Sequence, residues 1–193
     1  MRKYSNNWVF IDLLFNLLVG FTSLFVLAFM LINPIAKKGT IEPPVAFMIE
    51  SSWADDSSAD IDLYLRGPNG NLIYFGNKDG SYMYLDRDDL GKSNDTFTIN
   101  GEQVVIQRNY EMITVSQLLP GEYVINLHYF SMMGEVETVD VRATNISPFN
   151  VVVDRQIELL PRQEKTVASF YVEPDGTITD IRTNLNIKLR IPK

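Results

Sequence analysis

Residues 8–32 read WVFIDLLFNLLVGFTSLFVLAFMLI, 25 residues in which Asp12 is the only formal charge. A hydrocarbon core about 30 Å thick needs about 20 helical residues, so the run is long enough to span it with some tilt. Tyr4 and Trp8 suit the interface on one side and Lys37 and Lys38 the other. Pro34 ends the helix after Asn33. A cleaved signal peptide would carry an apolar stretch of about 7–15 residues and a small-x-small cleavage site. Pro34-Ile35-Ala36 is a poor site. The expectation for residues 1–36 is a short cytoplasmic tip and an uncleaved transmembrane helix.

The anchor is not uniformly apolar. At about 100° per residue, Asp12, Asn16, Gly20 and Ser23 fall within about 80° of one another. The rest of the circumference is dominated by Leu, Phe, Val and Ile. An Asp near the centre of a membrane helix costs about 2.5–3.5 kcal/mol, and such carboxylates usually face a protein partner or a water-filled cavity. Desolvation raises a carboxylate's pKa, so the group can be neutral against an apolar wall and ionised against water or a cation. That is the chemistry of an ion-carrying site. The plainer reading is an Asp that snorkels to the interface or hydrogen-bonds in a helix dimer through Asn16, with Gly20 and Ser23 packing.

Outward from the anchor, the charge divides by region. Residues 1–38 hold Arg2, Lys3, Lys37 and Lys38 against Asp12, a charge of +3; the remainder holds 13 Lys/Arg against 23 Asp/Glu, a charge of −10. The whole 193-residue chain has a net charge of −7, which argues against a nucleic-acid partner. It has no Cys, which excludes a disulfide framework, the common structural zinc sites and a Cys nucleophile. The basic flanks nearly tie under the positive-inside rule. A body with a sheet-like pattern and no Cys is compatible with an oxidising exterior, so the N-terminus is expected in the cytoplasm and the body outside.

Phe10-Ile11-Asp12-Leu13-Leu14, followed by a Leu/Phe/Val run, resembles the single transmembrane helix of the ExbD/TolR/MotB family, the rod subunits of ion-driven 5:2 rotary motors. The resemblance covers about 30 of the 193 residues. It implies a bacterial inner-membrane protein with a periplasmic C-terminal domain, in which Asp12 responds to a proton or Na⁺. It also implies a homodimer whose two helices stand inside a pentamer of a multi-spanning MotA/ExbB/TolQ-like partner. Asn16, Gly20 and Ser23 match no motif of that family. Val9 stands where members often have Pro, and the body resembles none of the family's periplasmic domains.

Residues 37–44, Lys37-Lys38-Gly39-Thr40-Ile41-Glu42-Pro43-Pro44, read as a linker that two consecutive Pro residues keep extended. Residues 45–193 read as an all-β antiparallel sandwich. Ile61, Leu63 and Leu65 alternate with Asp60, Asp62, Tyr64 and Arg66. Tyr123, Ile125, Leu127 and Tyr129 alternate with Val124, Asn126, His128 and Phe130. Turns are marked at Pro68-Asn69-Gly70, Asp79-Gly80, Asn100-Gly101, Pro120-Gly121 and Pro174-Asp175-Gly176. Further strands are expected at 45–50, 72–76, 81–85, 103–107, 135–143, 149–154, 165–172 and 185–191. Another, with a turn, is expected at Ile157-Glu158-Leu159-Leu160-Pro161, giving about ten in all. Residues 86–95 read as an exposed loop.

Trp53, Asp60-Ile61-Asp62-Leu63-Tyr64-Leu65, Pro68-Asn69-Gly70 and Leu119-Pro120-Gly121-Glu122-Tyr123 resemble the bacterial pre-peptidase C-terminal and YfaP-like sandwiches. That resemblance implies an extracytoplasmic module of binding type, without identifying a ligand.

The densest acidic cluster is Asp55, Asp56, Asp60 and Asp62. Asp60 and Asp62 share a strand face, and such oxygens could hold Ca²⁺, although no EF-hand spacing is present. The same residues also read as a solvated strand edge whose charges deter edge-to-edge pairing. His128 reads as a surface or sheet-packing residue. Tyr64, Tyr74, Phe75, Tyr82 and Tyr84 would line a sugar or peptide groove or simply pack on the sheet. No nucleophile-elbow, Walker or dinucleotide fingerprint occurs, so no enzyme is expected. Two functions follow. One is the B-type subunit of a proton- or Na⁺-driven inner-membrane motor, acting through Asp12. The other is a membrane-anchored binding module for envelope polymer or protein.

Overall fold

The computed structural model describes residues 7–32, 45–132 and 134–190. The expected linker at 37–44, the interfacial residues Tyr4, Lys37 and Lys38, and Pro34 lie outside them.

The first of two compact units holds one helix, α1 (Asn7–Ile32). No Pro interrupts these residues and Gly20 is their only Gly. Its 26 residues correspond to a length of about 39 Å. Trp8–Leu31 has a mean hydropathy of 2.3 and is long and apolar enough to cross a membrane. Its hydroxyls are satisfied locally: Thr22 Oγ1 donates to the carbonyls of Leu18 (2.9 Å) and Val19 (3.0 Å), and Ser23 Oγ donates to Val19 (2.8 Å).

The body is all-β and antiparallel. Its strands are β1 (Phe47–Ser52), β2 (Ile61–Arg66), β3 (Leu72–Ile73), β4 (Met83–Arg87), β5 (Thr96–Ile99) and β6 (Glu102–Val105). They continue with β7 (Tyr110–Val115), β8 (Gly121–Tyr129), β9 (Glu137–Ile146), β10 (Phe149–Leu159), β11 (Glu164–Val172) and β12 (Ile178–Arg182). One sheet runs β10-β9-β1-β7-β4 and the other β12-β11-β8-β2-β3. Between them lies a core built from the inward alternates of both, including Phe47, Ile49, Ile113 and Val141 with Leu63, Ile125, Leu127 and Phe170. Tyr123 fixes the start of β8: its hydroxyl donates to the Leu119 carbonyl (3.1 Å) and accepts from the Leu119 N–H (2.9 Å), a corner of the kind common in sandwiches.

The second sheet is covered on its outer face as well. Residues 184–190 lie across β11 and β8 without joining the ladder. Asn126 Nδ2 donates to the Ile187 carbonyl (2.6 Å), the Ile187 N–H to Thr166 Oγ1 (2.9 Å) and the Leu189 N–H to Glu164 Oε1 (2.7 Å). Leu189 packs with Tyr64 and Val124 beneath it. This cover explains why β2 and β8 are buried on both faces, and why Asp62, Asn126 and His128 lie inside.

β5 and β6 stand apart. They pair only with each other, and Phe97, Ile99, Val104 and Val105 remain exposed.

The anchor-plus-sandwich architecture is as the sequence leads one to expect, with several local corrections. β5, β7 and β12 are additional strands. In β7 every second residue points inward, but the first of these is Glu111, so a carboxylate stands where the pattern called for an apolar side chain. Ile157-Glu158-Leu159 is the end of β10 rather than a separate strand. Residues 185–190 form no strand, because side chains of the sheet face take their backbone groups. Residues 86–95 are not an exposed loop. Asp86 and Arg87 belong to β4, Asp89 and Asp95 are buried, and Gly91–Asn94 forms a 3₁₀ turn.

Candidate functional site

On α1 the unbroken helix places Asp12, Asn16, Gly20 and Ser23 along one face, as the spacing requires. Among the described residues of the helix, side-chain hydrogen bonds belong to Thr22 and Ser23 alone. Ser23 is thus satisfied by its own helix, while Asp12 and Asn16 are free to meet something else. A Cβ added at Gly20 would touch nothing within 4 Å, so that face is open to close approach by a second helix.

In the body, the acidic residues gather differently from their order in the chain. Asp55 and Asp56 lie in an exposed turn at 54–57, where Asp55 Oδ1 accepts the Asn109 N–H (3.3 Å). Asn109 Nδ2 ties the same turn down through the carbonyls of Ala54 (2.6 Å) and Ser57 (2.9 Å). Asp60 is half-buried just ahead of β2, and Asp62 is buried within it. Asp62 is joined by Asp88 and Glu111, residues that carried no role in the sequence reading: one carboxylate oxygen from each lies within 4.8 Å of the other two.

Each member is delivered by an identifiable local device. Glu111 reaches from β7 of one sheet to β2 of the other, where its Oε2 accepts the Leu63 N–H at 2.6 Å. That N–H faces the side of β2 that β3 leaves uncovered, since β3 pairs only with Leu65 and Arg66. Asp88 is brought down by the folded 86–95 segment. Asp89 Oδ2 accepts from Arg87 Nη2 (2.6 Å) and Nε (3.1 Å), and Asn94 Nδ2 donates to the Asp88 carbonyl (3.1 Å). Gly91 permits this seating. Its φ is +60°, and a Cβ there would come within 2.8 Å of the Ala59 carbonyl oxygen.

His128 closes the other side. Its Nδ1 lies 3.1 Å from Asp62 Oδ2, and its Nε2 lies 3.2 Å from Arg190 Nη1. A guanidinium only donates, so Nε2 is the acceptor and the ring proton sits on Nδ1, donated to Asp62. Both nitrogens are occupied. His128 is packed, buried, between Tyr64 and Phe130.

The electrostatics follow from burial and crowding. Asp60 is pushed up to about 6, first by burial and then by the charges of Asp62, Asp88 and Asp89. Asp62 is raised by burial, against the opposing hydrogen bond from His128. Glu111 is raised well above the ordinary carboxylate range by burial, with the Leu63 N–H only partly offsetting it. Oxygens of Asp60, Asp88, Asp89 and Glu111 are buried without a hydrogen-bond partner among the described residues.

The five aromatics line no common groove. Tyr64, Tyr74 and Phe75 pack on the outer face of the second sheet, Tyr64 stacked on Tyr74 at 5.3 Å. Tyr82 belongs to the main core, and Tyr84 Oη donates to the Ser81 carbonyl. A polar groove of about 830 Å³ lies beside β10, β11 and residues 183–188, lined by Arg155, Glu158, Lys165 and Lys188 among others.

No known protein family, curated protein or solved structure matches this chain.

Proposed function

We propose that this chain is the rod subunit of an ion-driven motor in a bacterial inner membrane, with its N-terminus in the cytoplasm and its sandwich in the periplasm. The observation that carries the reading is Asp12, the one charged residue in the 24-residue apolar segment Trp8–Leu31. It stands on a face shared with Asn16 and the bare backbone of Gly20. Two such helices, side by side within a ring of partner helices, would give Asp12 a protein wall in place of lipid. Protonated, its carboxyl group prefers the apolar wall; ionised, it prefers water or a cation. A proton crossing the membrane potential releases about 2.3 kcal/mol per 100 mV, and the alternation of Asp12 between the two states would turn that energy into rotation of the rod and its sandwiches. The resemblance of residues 10–14 to the ExbD/TolR/MotB helix points the same way.

The first test is the genomic neighbour: a multi-spanning MotA/TolQ-like protein encoded next door favours the motor and its absence the plain anchor. Co-expression of such a partner with this chain should then yield a complex of five partner copies to two of this chain that conducts protons in proteoliposomes. Asp12→Asn should assemble in the same ratio and carry no flux. A variant with wild-type flux would refute the motor.

The polar groove in the body favours a second reading, in which α1 is a plain anchor and the sandwich binds an envelope polymer or protein. Replacing α1 with an unrelated apolar helix would then preserve activity in the cell, whereas the motor would lose it.

A further inference from the structure

We propose that Asp62, Asp88 and Glu111, with Asp60 beside them, form a binding site for a divalent cation of calcium size that pins the two sheets together. The inference is independent of the motor. A cluster of acidic groups alone would say little, since surface carboxylates gather freely in water. Here the decisive group is Glu111, fully buried on β7 with Oε2 held by the Leu63 N–H, Oε1 buried without a hydrogen-bond donor among the described residues, and one oxygen within 4.8 Å of oxygens of Asp62 and Asp88. Asp88 repeats the pattern. Its Oδ2 takes Lys78 Nζ at 2.6 Å, while its Oδ1 is buried and unpartnered. Asp60 Oδ1 is likewise buried and without a partner. On Glu111 and Asp88, therefore, one oxygen is engaged by the protein and the other is left bare.

Charge balance asks for something more. Near the site, Lys78 pairs with Asp88, Arg87 with Asp89, and Arg190 is spent on His128. Glu111 and Asp60 have no cationic partner among the salt bridges of the described residues. Burying an unpaired carboxylate is costly unless a proton or a metal ion neutralises it.

The donor set selects the ion. All the free donors are hard carboxylate oxygens, and the one imidazole has both nitrogens occupied, so a soft or nitrogen-seeking metal has little to hold. Calcium bonds oxygen at about 2.3–2.6 Å with adaptable geometry, and oxygens within 4.8 Å of one another can all reach one such ion. Magnesium demands about 2.0–2.1 Å and near-octahedral order. Bound there, calcium would join β2 of one sheet to β4's end and β7 of the other.

The experiment uses the full chain in detergent, stripped with EDTA, followed by thermal unfolding and calorimetric titration with CaCl₂ and MgCl₂. Calcium is expected to bind with about one ion per chain. At about a hundredfold over Kd it should raise the melting temperature by about 5–10 °C, with magnesium at least tenfold weaker. Glu111→Gln keeps an acceptor for the Leu63 N–H, and it should melt at or above wild type in EDTA while losing the calcium shift. Asp88→Asn, on the less buried arm, should weaken calcium binding at least tenfold and guards against a Glu111 variant that fails to fold. The proposal is overturned by any of three results: no calcium-dependent heat or shift in the wild type, which would leave a proton shared between the carboxyl groups; an equal response to magnesium; or full calcium response in both variants.

Discussion

Glu111 occupies a position on β7 where neighbours Ile113 and Val115 are apolar and wholly buried, and a carboxyl group there has consequences in solution. Burial holds Glu111, Asp62 and Asp60 above their ordinary values, whereas the unfolded chain exposes them to water. The folded chain therefore keeps protons that the unfolded chain releases, and stability from these groups is complete below about pH 4 and lost as pH rises. For Asp60 the loss is complete once pH passes about 6. In EDTA, Glu111→Gln removes one of these contributors. The variant's advantage in melting temperature over wild type should thus grow between pH 4 and pH 7, measured by circular dichroism melts at fixed ionic strength. A constant difference across that range would mean that the Glu111 carboxyl titrates as it does in water.

At the level of elements, residues 184–190 show what a one-dimensional pattern conveys and what it hides. Leu185, Ile187 and Leu189 alternate like a strand, yet the segment forms no strand. Whether it joins a ladder depends on partners that alternation does not reveal. Here Asn126, Thr166 and Glu164 take its backbone groups from the sheet face. β8 teaches the same lesson. Its inward residues Tyr123, Ile125 and Leu127 were legible from their period, but the burial of Asn126 and His128 on the other side depends on the distant segment that covers them. β7 is not legible because Glu111 breaks its hydrophobic alternation, so the sequence offers Asp60 and Asp62 as cation ligands but not the Asp88 and Glu111 that the fold brings to them. The available signal is the charged run Asp86-Arg87-Asp88-Asp89 followed closely by Gly91. Ending the chain at Thr183 should strip the cover from Tyr64 and Val124. We expect a loss of at least about 3 kcal/mol, read as a lower urea midpoint, with faster amide exchange in β2 and β8 than in β9 and β10.

For the whole molecule, the division into an apolar helix and an acidic body was the most legible feature, because length and hydropathy need no tertiary partner to be read. Asp12 was visible for the same reason: one charge in an apolar run stands out by contrast. The carboxylates of the body could not be sorted that way, since an acidic residue on a surface and one inside a centre look alike until the sheets are assembled around them.

The hairpin of β5 and β6 is attached to the sandwich by little beyond its own ends, with Phe97, Ile99 and Val105 open to water. An isolated two-stranded ribbon is marginal on its own, so it should open long before the sheets do. Chymotrypsin at low dose should nick the body first after Phe97. The fragments on either side remain stitched through β1 with β7 and β2 with β8, and should elute together by gel filtration yet run as two bands once boiled in SDS. Scission of the peptide chain and unravelling of the domain would then be separate events, and a tag or fluorophore spliced into that ribbon should leave the remainder of the body undisturbed.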